Sequence, residues 1–211
     1  MHGPTPARLA VAFAAGLAAC GGDGSSNRTV TSDNPVAGLT QAVTQMQKAA
    51  EAVTGTSNRK PVPPVSFRVL IDYIPKSMGD MKADPPKGET TTAGEWQYSQ
   101  AEGNYRSEDG NRRAEVGIFD YAHIPMFYVP FQMMLNMKVN TESTEGYQHS
   151  VQIAGFPAYE KWTNSGGKSE VVVMVSDRFV VKASTRGVGE GSARKIVEDM
   201  DLKGLATKAA S

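Results

Sequence analysis

Hydrophobic positions recur along this chain with a period that changes from segment to segment. After a polar start at residues 1–8, in which Arg8 is the only charged side chain, an unbroken small-apolar run extends from Leu9 to Ala19. It falls well short of the roughly 20 residues that a membrane-spanning helix needs. A basic start, a short apolar run and small residues at its end form the pattern of a secretory signal, so residues 1–19 are expected to be a signal peptide. Residues 20–33 are rich in Gly, Ser and other polar types and predict a flexible tether. From Asn34 as N-cap and Pro35 at the first helical position the spacing becomes helical. Val36, Leu39, Val43, Met46, Ala50 and Val53 follow at intervals of three and four, which predicts an amphipathic helix over 34–54. Its stripe is shorter than the three to four heptads that would argue a coiled coil, so docking on the body by one seam is favoured over a dimer. Residues 55–64 contain several prolines and predict a semi-stiff linker.

Residues 65–207 predict one domain, followed by a short tail at 208–211. Ser66 is placed to cap a short helix carrying Phe67, Leu70, Ile71 and Ile74 on one face, and Pro75 ends it. After a Pro/Gly/Lys loop at 76–90, alternation of period two takes over. Trp96 and Tyr98 share a face, and further on Ala114, Val116 and Ile118 do the same. Gly103 and the Asp109-Gly110 pair mark hairpin turns, which divides this stretch into three antiparallel strands. Residues 124–138 are apolar nearly all round and predict a buried helix, with Pro130 in its first turn or kinking it.

Strand signals return with Tyr147, His149, Val151 and Ile153 on one side, then Phe156 to Trp162 and a Gly166-Gly167 turn. The continuous apolar run Val171 to Val175 predicts a central strand covered on both faces. Arg178 to Ser184 pairs back through a tight Ser176-Asp177 connection. A closing helix is expected from Ser192 to about Leu202, with Ile196, Val197 and Met200 facing inward.

The order helix, strands, helix, strands, helix is satisfied most cheaply by an antiparallel sheet covered by helices on one face. The expected class is therefore α+β, preceded by the tether and the amphipathic helix. The stretch Gly155-Phe156-Pro157-Ala158-Tyr159-Glu160, the apolar hairpin, the Gly-rich turn and the closing helix together resemble Mog1/PsbP-type α+β domains. Such domains recur in secreted and lipid-anchored proteins. The resemblance implies the fold and carries no functional residues over.

Composition narrows the function classes. The 22 Lys+Arg balance the 22 Asp+Glu, so no overall field favours nucleic acid. Hydrophobic content of 40% excludes both a polytopic membrane protein and a fully disordered chain. A single cysteine excludes an intramolecular disulfide and any all-thiolate metal site. That cysteine stands at the end of the apolar run. Leu17-Ala18-Ala19-Cys20, followed by Gly21-Gly22, resembles the lipobox of bacterial lipoprotein signal peptides at all four positions. The resemblance implies cleavage before Cys20, a diacylglyceryl thioether on its sulfur and acylation of the new amino terminus. Two or three acyl chains anchor stably, because each buried CH₂ contributes about 0.8 kcal/mol. Gly21 stands where the family's inner-membrane retention signal has Asp, which favours the periplasmic face of an outer membrane. The implied partner is thus the membrane, through the lipid, with a second partner protein of the envelope also expected.

Candidate chemistry in the body is sparse. Gly187-Val188-Gly189-Glu190-Gly191-Ser192 lies where phosphate loops occur but fails both the dinucleotide and P-loop spacings. Ser192 reads as a helix cap there, and Arg194 with Lys195 in the following turn forms a candidate anion site. Met133, Met137 and His149 are the candidate soft-metal ligands, since thioether and imidazole suit Cu(I). Met78 and Met81 at i, i+3 add to the count of 10 methionines, although methionine also fills irregular cores. Asp120 and His123 lie close in sequence, but no G-x-S-x-G or H-E-x-x-H accompanies them and no catalytic residue is named. No cofactor is implied. The expectation is a non-enzymatic binding or interaction module, with a copper or small-ligand carrier as the alternative and an envelope hydrolase behind both.

Overall fold

The computed structural model describes residues 62–94, 96–122 and 124–210. The expected signal peptide, Cys20, the tether, the helix 34–54 and His123 lie outside the described residues. The described chain is a nine-stranded antiparallel sheet with four short helices, in agreement with a mixed, sheet-rich α+β class. In chain order these are α1 (Phe67–Ile71), β1 (Lys82–Ala83), β2 (Lys87–Ala93), β3 (Trp96–Arg106) and β4 (Arg113–Asp120). Then come α2 (Pro125–Asn136), β5 (Asn140–Ser143), β6 (Gly146–Ile153), β7 (Phe156–Thr163), β8 (Lys168–Val175) and β9 (Phe179–Arg186). The helices α3 (Ser192–Glu198) and α4 (Leu202–Thr207) close the chain, with a 3-10 turn at Lys208–Ala210.

The sheet order is β1-β3-β4-β9-β8-β7-β6-β5, with β2 pairing β3 beside β1. Two meanders, β1–β4 and β5–β9, are therefore joined edge to edge by the β4–β9 pairing, and α2 makes the crossover between them. Pro85 and Pro86 separate β1 from β2, because neither can donate to the ladder. The chain turns back at Ser176-Asp177 as expected, both residues having positive φ (54° and 52°), but Arg178 belongs to the connection, its N–H donating to Val175 O (3.2 Å), and pairing resumes at Val175 with Phe179. Val171 to Val175 is central and covered on both sides.

The two faces bury separate cores. On one, Ile118, Val173 and Val181 of the sheet pack with Leu70 of α1, Val197 of α3 and Leu202 and Leu205 of α4. On the other, Met174 and Val180 pack with Val129 and Leu135 of α2. Helices thus lie on both faces, where the alternation predicted one. The physical reason is visible in β8, whose even-numbered Val172 and Met174 are apolar too and need their own cover.

Four other expectations are corrected. Gly103 is no turn: β3 runs unbroken through it, and its strand partner is Val116. A Cβ at Gly103 would come within 2.5 Å of Ile74 Cγ2 and 2.8 Å of Tyr105 Oη, so the glycine is there for close packing of the segment after α1. The loop expected at 76–90 contains β1 and the start of β2. The segment 124–138 is not buried all round, since Met133 is 42% exposed and Met137, the C-cap of α2, 61%; of the two placements expected for Pro130, the structure shows the one inside the helix. The closing helix is two helices, because the Asp201 carboxylate accepts from Gly204 N (2.8 Å) and starts α4 anew.

Residues flanking the expected 65–207 span also belong to the packed body. Val62 N donates to Ala122 O (3.2 Å), and the carbonyls of Lys208 and Ala209 accept from Arg178. Among the described residues, no helix is long and apolar enough to cross a membrane.

Candidate functional site: a cleft between the first and last helices

Helix α1 ends at Ile71 with Asp72 as its C-cap, so Ile74, expected on its inner face, lies beyond it, and the helix stops before Pro75 rather than at it. Tyr73 N and Ile74 N reach back to Leu70 O and Ile71 O, and Pro75 then forces the chain out. It turns back on itself at Gly79 and Asp80, where Met78 and Met81 form an isolated antiparallel bridge. Two contacts pin this loop. The Tyr105 hydroxyl donates to Pro75 O, and the Arg112 guanidinium donates two hydrogen bonds to the Asp80 carboxylate (2.9 and 2.6 Å). The hydrogen bonds from Arg112 hold the Asp80 carboxyl below the usual carboxylate range. Burial pushes the Tyr105 hydroxyl up to about 12.

Across from this loop stand α3 and the start of α4. Between the two walls lies an open cleft of about 710 Å³, inside the range of about 300–1,000 Å³ typical of small-ligand sites. Its floor is apolar: Ile74, Met81 and Met200 are buried, and Met78, Val188 and Ile196 are partly buried beside them. Its rim is charged, with Asp72 and Lys76 on one wall and Lys195 and Asp199 on the other. Tyr73 lines the same wall as Asp72, and its hydroxyl is raised above the ordinary phenol range by burial and then by the Asp201 and Asp72 carboxylates.

The residues singled out from sequence are not assembled into sites. Ser150 Oγ donates to Met137 O (2.8 Å), which sets the end of α2 against the face of β6 that carries Ser150. His149 points to the opposite face with Val151 and Ile153, stacked on Tyr147 at 4.6 Å. The sheet therefore separates His149 from Met133 and Met137. His149 Nε2 stands 3.4 Å from Glu142 Oε1, within ion-pair distance but without hydrogen-bond geometry. Among the described residues there is no group of three or more His, Cys, Asp or Glu that could hold a metal ion.

The expected anion site is also divided. Gly191, with φ of 69°, is the N-cap of α3, and Ser192 Oγ instead pairs with Thr185 Oγ1 and donates to Gly189 O, each at 2.5 Å. Arg194 is committed to carboxylates, with Glu198 Oε1 at 2.8 Å and Glu160 Oε2 at 3.4 Å. Lys195 alone of the three reaches the cleft rim as an exposed charge. Asp120 is no free base, because Arg178, Val65 N and Ala122 N all donate to it.

Sequence reasoning did not find the cleft. Met78 and Met81 stood out by spacing and Met200 as an inward position, but nothing along the chain brings them to one wall. No family model matches the chain, and comparison with curated proteins and with solved structures returns no match.

Proposed function

We propose that this chain is a lipid-anchored cell-envelope protein acting as a non-enzymatic binding module, with its ligand held in the cleft between the 72–81 loop and α3. The lipobox-like Leu17-Ala18-Ala19-Cys20 supports the anchor and the extracytoplasmic address. The observation that carries the binding reading is the cleft itself: an apolar, methionine-rich floor under a charged rim, at the volume of a small-ligand site. Methionine suits such a floor because its unbranched, polarizable chain adapts to ligands of irregular shape. The separation of His149 from Met133 and Met137 gives the copper-carrier alternative no assembled donor set at those residues.

The test is native mass spectrometry of the full chain carrying Cys20→Ser, secreted to the periplasm, against its mass under denaturing conditions. Extra mass that is lost on denaturation, and lost also when Met81→Arg and Ile196→Arg fill the cleft of a still-folded protein, supports the reading. A bare chain in every preparation, with no small molecule taken up on incubation with envelope extract, overturns it.

A further inference from the structure

The charges around the cleft fall into two groups. Asp80 and Arg112 satisfy each other, and Asp201 caps α4. Asp72, Lys76, Lys195 and Asp199 are exposed, and among the described residues their side chains make no ion pair or hydrogen bond. Of these four, each wall contributes one carboxylate and one ammonium, and Asp201, also on the second wall, is turned to the Gly204 N–H at the start of α4. Lys195 and Asp199 are four residues apart across the last turns of α3, so both lie on the side of the helix that lines the cleft.

A rim of this kind discriminates by head-group charge. A ligand with a single charge at the mouth meets, among these four, as many like charges as opposite ones, so they give it little net attraction. A head group carrying separated positive and negative charges can set each against its opposite. Below the rim, Met81, Met200 and Ile74 form a floor on which an apolar chain loses its contact with water, and that burial is the main favourable term. About 710 Å³ is room for one drug-sized molecule.

We propose that the cleft binds a single-chain phospholipid with a zwitterionic head group, its chain on the methionine-rich floor and its head between the paired charges of the two walls. The inference rests on the cleft being the ligand site, and it adds the chemistry of the ligand. In an envelope protein, such a ligand is a product of phospholipid deacylation, the class of reaction that leaves one chain on the glycerol phosphate.

The experiment uses the full chain with Cys20→Ser and the apolar fluorophore N-phenyl-1-naphthylamine as reporter. Three displacers of equal chain length are titrated below their micelle concentrations: dodecylphosphocholine, dodecanoate and dodecyltrimethylammonium. The expected result is displacement by dodecylphosphocholine at a concentration about tenfold or more below either singly charged displacer. Lys76→Glu with Lys195→Glu should then move the preference to dodecyltrimethylammonium, and Asp72→Lys with Asp199→Lys should move it to dodecanoate. Equal displacement by all three, or a preference that the rim variants do not move, overturns the head-group assignment while leaving the cleft as an apolar site. Failure of the fluorophore and of every displacer to bind overturns the cleft as a ligand site, and this inference with it.

Discussion

Arg178 grips Asp120 with two parallel hydrogen bonds, Nε to Oδ1 at 3.0 Å and Nη2 to Oδ2 at 2.9 Å, and both side chains are sealed from solvent. The pair stands where β4 ends and the β8–β9 hairpin turns. The remaining capacity of each partner is turned to backbone. Asp120 accepts from Val65 N (2.7 Å) and Ala122 N (2.8 Å), while Arg178 donates to the carbonyls of Pro63, Lys208 and Ala209. One buried ion pair thus ties together the entry of the chain, both meanders and the last turn.

Asp120→Ala should therefore destabilise strongly. It leaves a guanidinium buried without its counter-charge and frees two backbone donors, a loss on the order of 3–5 kcal/mol. Urea unfolding followed by circular dichroism reads this directly. A loss below about 1 kcal/mol, the size of a surface pair, would mean that water enters the site and the pair is not sealed.

Gly103→Ala tests close packing rather than turn formation. Its Cβ would meet Ile74 Cγ2 at 2.5 Å and Tyr105 Oη at 2.8 Å, and overpacking of this kind costs about 1–3 kcal/mol. Because Ile74 belongs to the cleft floor, fluorophore uptake should weaken along with stability. An alanine variant as stable as the parent would remove the packing argument.

Alkaline pH should destabilise the fold through its tyrosines. Burial raises the hydroxyls of Tyr105, Tyr121 and Tyr147 from 10.0 to about 12, with the Glu160 carboxylate adding to the effect at Tyr147. The folded state holds these protons more tightly than the unfolded chain does. The stability this gives is complete below pH 10 and is lost as pH rises through about 12. Ultraviolet absorbance titration checks it: Tyr105, Tyr121 and Tyr147 should ionise only well above pH 10 while the protein is folded. All of them ionising together near pH 10 in a protein that is still folded would contradict the burial.

Cys20→Ser should release the protein from membranes and leave the unfolding curve of the body unchanged. Membrane fractionation with metabolic labelling by a fatty acid reads both anchoring and acylation. Membrane retention of the serine variant, or no label on the parent chain, would end the lipid-anchor proposal.

Strands were the most legible part of the fold. Ala114, Val116 and Ile118 alternate because β4 buries one face deeply, and the same alternation identified β6 from Tyr147 to Ile153. Edge strands escaped: Lys87–Ala93 and Asn140–Ser143 are polar at nearly every position, and their pairing is backbone to backbone with no side-chain pattern to betray it. Gly103 was misread because a glycine that yields to a packed neighbour looks, along the chain, like a glycine that makes a turn.

The site was less legible than the fold for a related reason. Met133, Met137 and His149 are near in sequence, yet Ser150, which holds the Met137 carbonyl at the end of α2, and His149 are adjacent strand residues whose side chains point to opposite faces. Met81 and Met200 are far apart in sequence and meet on one cleft floor.

Local preference therefore determined what could be read from the sequence alone: strand period, the Ser66 cap and the positive-φ turn at Ser176-Asp177, each a matter of a few neighbouring residues. The expectation at Cys20 is of the same kind, a short run of side chains. Tertiary structure alone decided which face each helix covers, which carboxylate Arg178 and Arg194 take, and that the loop after α1 faces α3 across a cleft. These depend on pairings between residues tens of positions apart, and chain periodicity carries no record of such partners.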